Sequence, residues 1–415
     1  MLRRKVLQAF IAFTTIGSFA IGVNGQTDET TKQESNAWQF GVARVKITPE
    51  TPMLMAGYAS RDRPAEGTLT DLWAKALVLE DANSKKCALI TLDVVGVGGR
   101  FRQLVGRELR ARYGFENGDY AICCSHTHTG PAIGENLKPM NYAVADKLQQ
   151  DHIDSYTSVL ISKVVDVVHQ AATSMQAGTL SWGTGTTTFA ANRRNNSEAE
   201  IRSLRTAGTI RGPFDHDVPV LAIRDIDGKL RSVVFGYACH ATVLSSYQWS
   251  GDYPGFAQIE LEKIYPDCTA MFWAGCGADQ NPLPRRADEL AAHYGRHLAA
   301  TVESVLLTHE MLPIKSQLTS AYAEIPVAFQ NVPDATQLDE DMTSKDKFIA
   351  ARAKLLKQQL EDNGKIEPAY PYPIATWKLG DLQFVFLGGE VVVDYALRLK
   401  SELNNSRTWV VGYSN

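Results

Sequence analysis

Two apolar runs joined by a short turn constrain this chain more than any other feature in it. WAKALVLE (73–80) and KCALITLDVVG (86–96) flank the polar segment DANSK, the pattern of two strands around a turn. An amphipathic stretch, GGRFRQLVGRELRARYG (98–114), follows, with Gly114 placed to end it as a helix. A third apolar run, YAICCS (120–125), then reads as a strand. Strand, helix and strand in that order demand a sheet with helices packed on it.

The alternation continues along the chain. DHIDSYTSVLISKVVDVVHQAATSM (151–175) has apolar residues at helical spacing, and TLSWGTGTTTF (179–189) is extended. DVPVLAIRDIDGKLRSVVFGYACH (217–240) reads as a hairpin turning at Asp227-Gly228. TAMFWAG (269–275) is another buried strand, ADELAAHYGRHLAATVESVLL (287–307) another helix, and SKDKFIAARAKLLKQQLEDNG (344–364) a charged one. ATWKLGDLQFVFLGGE (375–390) forms a second hairpin around Gly380-Asp381, and RTWVVGYSN (407–415) is one more apolar strand. No internal repeat or low-complexity linker divides the chain. The expected fold class is therefore α/β: a mixed β-sheet core flanked by helices, in one large domain over residues 38–415. A strand at the very end of a domain suggests a chain cut short at its C-terminus.

A formal net charge of −4, with basic residues dispersed, excludes a nucleic-acid footprint. The N-terminus has a basic start (Arg3, Arg4, Lys5), an apolar stretch, then small residues. That is the layout of a secretory signal over 1–25, cleaved after Ala20 or near Gly25, with 26–37 as a disordered leader. An uncleaved membrane anchor is the alternative, because the apolar stretch approaches spanning length. The expected location is outside the cytoplasm, periplasmic or secreted, with no stable membrane span after cleavage. Cys87, Cys123, Cys124, Cys239, Cys268 and Cys276 form no CxxC pair, which argues against a cysteine zinc site.

Chemistry concentrates at the ends of the apolar runs. His126 and His128 lie in CCSHTHTGP (123–131), and on a strand residues i and i+2 face the same way. His240 closes SVVFGYACH and Glu390 closes LQFVFLGGE, each a polar residue at the carboxyl end of an apolar strand. Open α/β sheets place their sites at those ends. Zinc takes imidazole and carboxylate ligands of this kind. Taken singly, His240 reads equally as a hydrogen-bonded core histidine, and Glu390 as an acid facing the N-terminus of a following helix.

The chain resembles the catalytic domain of the neutral/alkaline, non-lysosomal ceramidase family from about residue 38 to its end. The resemblance runs through GVARVKITPETPMLMAGYASR, LWAKALVLED, ITLDVVG, SHTHTGP, NRRN, GYACHATVLS, GDYPG, GCGADQNP, LGGE and VVGYSN, in that order. It implies one catalytic zinc held by His126, His240 and Glu390. It also implies His128 as an acid/base or transition-state stabiliser, and Arg193 of ANRRNN as a residue lining the site. The family's serine in a G-D-x-S-P-N motif is absent from GCGADQNPLPRR, which puts ceramide itself in doubt as substrate. The family's fourth ligand, a tyrosine a few residues beyond the S-N motif, would lie past Asn415. Tyr413 is within the motif and is not its equivalent.

The implied chemistry is hydrolysis of an amide, in an N-acyl lipid or related small molecule, by water that zinc activates. His128 would move the proton. Asp279 would orient that histidine or the water, or would simply be a turn residue before Pro282. Asp252 reads as a cap for the helix FAQIELEK, and Asp93 as a partner fixing a histidine tautomer. The competing readings are an esterase or glycoconjugate hydrolase on the same metal core, and an inactive binding protein of the same fold.

Overall fold

A computed structural model describes residues 37–308, 311–403 and 405–415. The signal and all of the leader except Ala37 lie outside the described residues.

The alternation of apolar runs becomes a large mixed sheet built from β1 (Trp38–Lys46), β2 (Trp73–Glu80), β3 (Lys86–Leu92), β4 (Tyr120–Cys124), β5 (Gln176–Thr186), β6 (Asp217–Asp225), β7 (Leu230–Tyr237) and β8 (Thr269–Ala274). The spatial order is β8-β7-β6-β5-β1-β2-β3-β4. Most neighbours are antiparallel; only β3/β4 and β7/β8 run parallel. Each parallel pair is linked by a crossover helix, α1 (Gly99–Tyr113) for the first and, after α2 (Lys147–Thr173) in sequence, α3 (Asp252–Ile264) for the second. Gly114 ends α1 in the left-handed conformation, as its position in the sequence predicts.

Most of these strands are largely apolar because both faces of the sheet are covered, whereas β1 and β5 mix buried with exposed positions. One set of alternate residues, such as Ala76, Ile90, Ile122, Val220 and Phe235, packs against the helices, including α4 (Asp288–Leu307). The other set, such as Leu77, Leu89, Ala121, Leu221 and Val234, packs against a second sheet. That sheet comprises β9 (Leu318–Ala328), β10 (Ala369–Leu379), β11 (Leu382–Leu387) and β12 (Thr408–Val411). Trp377, Phe384, Phe386 and Trp409 fill the space between the sheets. The charged helix α5 (Lys347–Asn363) precedes β10, and α6 (Val393–Leu403) packs Ala396 and Leu399 on the outer face of the second sheet. The flanking-helix architecture expected from the sequence holds, with a second sheet replacing helices on one face.

The last residues join the two sheets. Cys124 N donates to Tyr413 O at 3.2 Å, Asn415 N to Ile122 O at 2.9 Å and Gly412 N to Ala274 O at 2.9 Å. The segment after β12 is thus bonded to the carboxyl ends of both edge strands of the main sheet, β4 and β8. Tyr413 N donates to Gly389 O at 3.1 Å, which brings the residue before Glu390 to the same place.

Candidate metal centre

His126 stands two residues beyond β4, in the left-handed region at φ 59°. Its main-chain N donates to Val94 O at 3.0 Å, and its Nδ1 donates to Val95 O at 2.6 Å. His240 lies three residues beyond β7; its N donates to Gln280 O at 2.9 Å and its Nδ1 to Gly277 O at 2.6 Å. A carbonyl can only accept, so both rings carry their proton on Nδ1 and leave Nε2 with a free lone pair. The two Nε2 atoms face one carboxylate. Glu390 Oε1 is 3.5 Å from His126 Nε2, and Oε2 is 3.3 Å from His240 Nε2.

His128 completes a cluster in which the ligand atoms of His126, His128 and His240 lie within 4.8 Å of one another. Its Nε2 is 3.1 Å from that of His126. Because His126 has no proton on Nε2, His128 is the donor in that contact, and its own Nδ1 has no partner among the described residues. The pair does converge, although not through strand pleating as the sequence suggests. Both residues sit past the strand end, and the left-handed turn at His126 brings them together.

Electrostatics suit a cation. Burial, then the neighbouring His240, pushes His126 down to about 3, and burial and His126 depress His128 well below the usual range. Burial works to raise the Glu390 carboxyl, but His240, His126 and Arg193 outweigh it and hold the group at about 2. Neutral imidazoles beside an ionised carboxylate are the protonation states that zinc requires of its ligands. The residues present therefore fit a zinc ion.

Other positions singled out from the sequence fall differently. Arg193 is half-buried, its Nε has no partner among the described residues, and its charge acts on Glu390. Asp279 does not reach a histidine. Its Oδ1 accepts from Val393 N at 2.9 Å, where α6 begins, and its Oδ2 accepts from Asn192 Nδ2 at 3.1 Å. Asp93 also fails as a tautomer-fixing partner, because His126 Nδ1 is satisfied by Val95 O; Asp93 instead accepts from Trp73 N at 3.0 Å. Asp252 begins α3 and ties the loop after His240 to it by accepting from Leu244 N at 2.9 Å. Gln280 is engaged with Ala238 O and Asp215 N. Counting from Asp279, Asn281 stands where the implied motif has serine, and its Oδ1 is buried without a partner among the described residues.

The seat of His128 was not legible as a site in the sequence. Tyr58 meets its ring edge-on at 4.8 Å, and Arg61 donates to the His128 carbonyl, to Ala56 O and to Ser246 O. Gly57, at φ 98°, allows this approach: a Cβ there would lie 2.4 Å from His128 Cγ. The glycine of GYASR was the available signal. Gly57→Ala is expected to displace His128 and lower turnover on the order of tenfold or more, since misplacement of about 1 Å can cost 10²-fold. Turnover and melting temperature measured together test this, and an alanine variant with unaltered turnover would refute the tight seat.

A cleft of about 450 Å³ opens beside the cluster, with His126, Glu390, Tyr413, Tyr370 and Tyr372 in its wall. An apolar cleft of about 330 Å³ shares Glu390 and is lined by Ile325, Val327, Val391, Tyr395 and Leu399.

A family model described as neutral/alkaline non-lysosomal ceramidase, N-terminal, matches residues 38–301. The chain belongs to this ceramidase family. Among curated members, the neutral ceramidase of Drosophila melanogaster is 26% identical over 266 residues, 62% of this chain and 35% of that protein. The neutral ceramidase of Pseudomonas aeruginosa is 23% identical over 231 residues, 54% of this chain and 33% of that protein. The chain thus spans about a third of the length of these ceramidases. The crystal structure of the Pseudomonas aeruginosa neutral ceramidase superposes with a TM-score of 0.69 at 19% identity, covering 91% of this chain and 67% of that one. The likeness of fold therefore takes in more of the chain than the family model, which ends at residue 301, before Glu390.

Proposed function

We propose that this chain is a zinc-dependent hydrolase that cleaves the amide bond of an N-acylated lipid or related small molecule, and that it is exported. The observation that carries the reading is the convergence of two tautomer-locked imidazoles on the Glu390 carboxylate, beside two clefts that share that carboxylate. His126, His240 and Glu390 would hold the ion. Zinc in that position would polarise the amide carbonyl and lower the pKa of a water to about 7.

The protein's own groups supply the rest. Glu390 keeps its negative charge in the site, and the Nδ1 bonds to Val95 and Gly277 hold the two rings in register. Arg193 brings a half-buried cationic group to the developing negative charge on the carbonyl oxygen. His128, fixed by Tyr58 and Arg61, passes a proton from the attacking water to the leaving nitrogen as the C–N bond breaks, releasing a carboxylate and an amine. No serine is needed, and Asp279 and Gln280, both committed to main-chain bonds, do not replace one.

Among the described residues no helix is long and apolar enough to cross a membrane. Export is supported by the basic-then-apolar N-terminus. The test is a panel of N-acyl sphingoid amides, simple N-acyl amides and esters, run with and without chelator alongside metal analysis. Amide cleavage that chelation abolishes and zinc restores is the expected result. Cleavage of esters alone, or activity unaffected by chelation, would overturn the reading. Full zinc occupancy without any cleavage would leave the binding-protein alternative.

A further inference from the structure

Tyr413 combines two unfavourable features at one residue, a left-handed backbone and a buried unpaired hydroxyl. Its backbone is in the left-handed region at φ 52°, where a non-glycine residue is strained. It is held there by its N donating to Gly389 O and its O accepting from Cys124 N. Its ring stacks on His126 with centroids 4.1 Å apart and planes 27° apart. The residue is 5% exposed, and its hydroxyl has no hydrogen-bond partner among the described residues.

Phenylalanine would stack on His126 equally well without burying an unpaired hydroxyl. The hydroxyl therefore has no structural use that the fold reveals, while its surroundings point into the site. Tyr413 lines the same cleft as His126 and Glu390. Its ring also meets that of His240 edge-on, with centroids 6.0 Å apart. A neutral phenol there is a donor awaiting an acceptor, as is the unpartnered Nε–H of Arg193.

We propose that the Tyr413 hydroxyl is a catalytic hydrogen-bond donor to the substrate's carbonyl oxygen, acting together with Arg193 as negative charge develops there. This rests on the amide-hydrolase reading. The bond strengthens as the carbonyl carbon becomes tetrahedral and relaxes when the C–N bond breaks, so the hydroxyl keeps its proton throughout.

Tyr413→Phe separates this from a structural role. In the zinc-loaded protein, kcat on an N-acyl amide should fall about 10²–10³-fold, the usual loss for one oxyanion donor, with KM and zinc content nearly unchanged. Affinity for hexanohydroxamic acid, which presents a carbonyl oxygen at a metal, should fall about tenfold, the scale of one hydrogen bond. The metal-free variant should melt at or above the wild-type temperature, because an unpaired buried group has been removed. A kcat within twofold of wild type, unchanged hydroxamate affinity, or a lower melting temperature with zinc loss would each overturn the proposal. The wild-type control reports separately on the underlying reading: if that protein neither cleaves the amide nor binds the hydroxamate, the hydrolase reading fails and the donor role falls with it.

Discussion

His240→Ala is expected to leave the purified protein without stoichiometric zinc and to lower hydrolysis on the order of 10³-fold or more. The several kcal/mol that a Lewis-acid metal contributes to charge stabilisation translate at about 1.4 kcal/mol per decade of rate. His240 is chosen because its ring is 1% exposed and its Nε2 is only 3.3 Å from Glu390 Oε2. Removing it deletes a proposed ligand and leaves Gly277 O without its donor. That second effect should destabilise the fold by about 1–3 kcal/mol, so melting temperature must be followed beside metal content. A folded His240→Ala protein that retains zinc and turns over normally would exclude the site. His126→Ala should behave alike, with an added loss of the Tyr413 stacking partner.

For His128→Ala the expected outcome is a fall in turnover on the order of 10²–10⁴-fold with zinc content near normal. The geometry makes the alternative concrete. His128 Nε2 lies 3.1 Å from His126 Nε2, and the three imidazoles alone form a compact ligand cluster. Three observations favour the proton-transfer role. The Nδ1 atoms of His126 and His240 are anchored to carbonyls, whereas that of His128 has no partner among the described residues. Glu390 lies beside His126 and His240, not beside His128, in its close contacts. The His128 ring is also held from outside the cluster, by the edge of Tyr58. Loss of zinc from His128→Ala equal to that from His126→Ala would make it a ligand and end the acid/base assignment. Metal titration of both variants, with kcat and KM on one substrate, decides the matter.

Much of the candidate site was legible because its residues are chemically conspicuous where they stand. His126, His240 and Glu390 follow strongly apolar runs, and the carboxyl ends of such strands are where open α/β sheets place their sites. The residues that support them were less visible. Gly57, Tyr58 and Arg61 sit in a loop whose value lies in its contact with His128, a residue about 70 positions away. Asp93 and Asp279 carry the right chemistry at plausible places, yet their oxygens bond the main chain of Trp73 and Val393. A carboxylate has several acceptor sites, and the sequence does not say which donor arrives first.

What the sequence alone determined is what periodicity and local chemistry encode. Largely apolar strands separated by amphipathic segments demand a sheet covered on both faces, and Gly114 stops its helix without reference to any distant residue. Residue type and position also marked the candidate site residues, and the family resemblance sorted ligands from the proton carrier among them. Only the tertiary structure decided that a second sheet covers one face, since an apolar residue carries no label for the partner that will bury it. It alone placed the segment after β12 against both β4 and β8, carrying Tyr413 onto His126 and Gly389, and with it Glu390, to the histidines. Those pairings join residues up to about 290 positions apart. Hydrogen bonding between backbones depends on geometry that the whole fold supplies, and side-chain identity does not specify it.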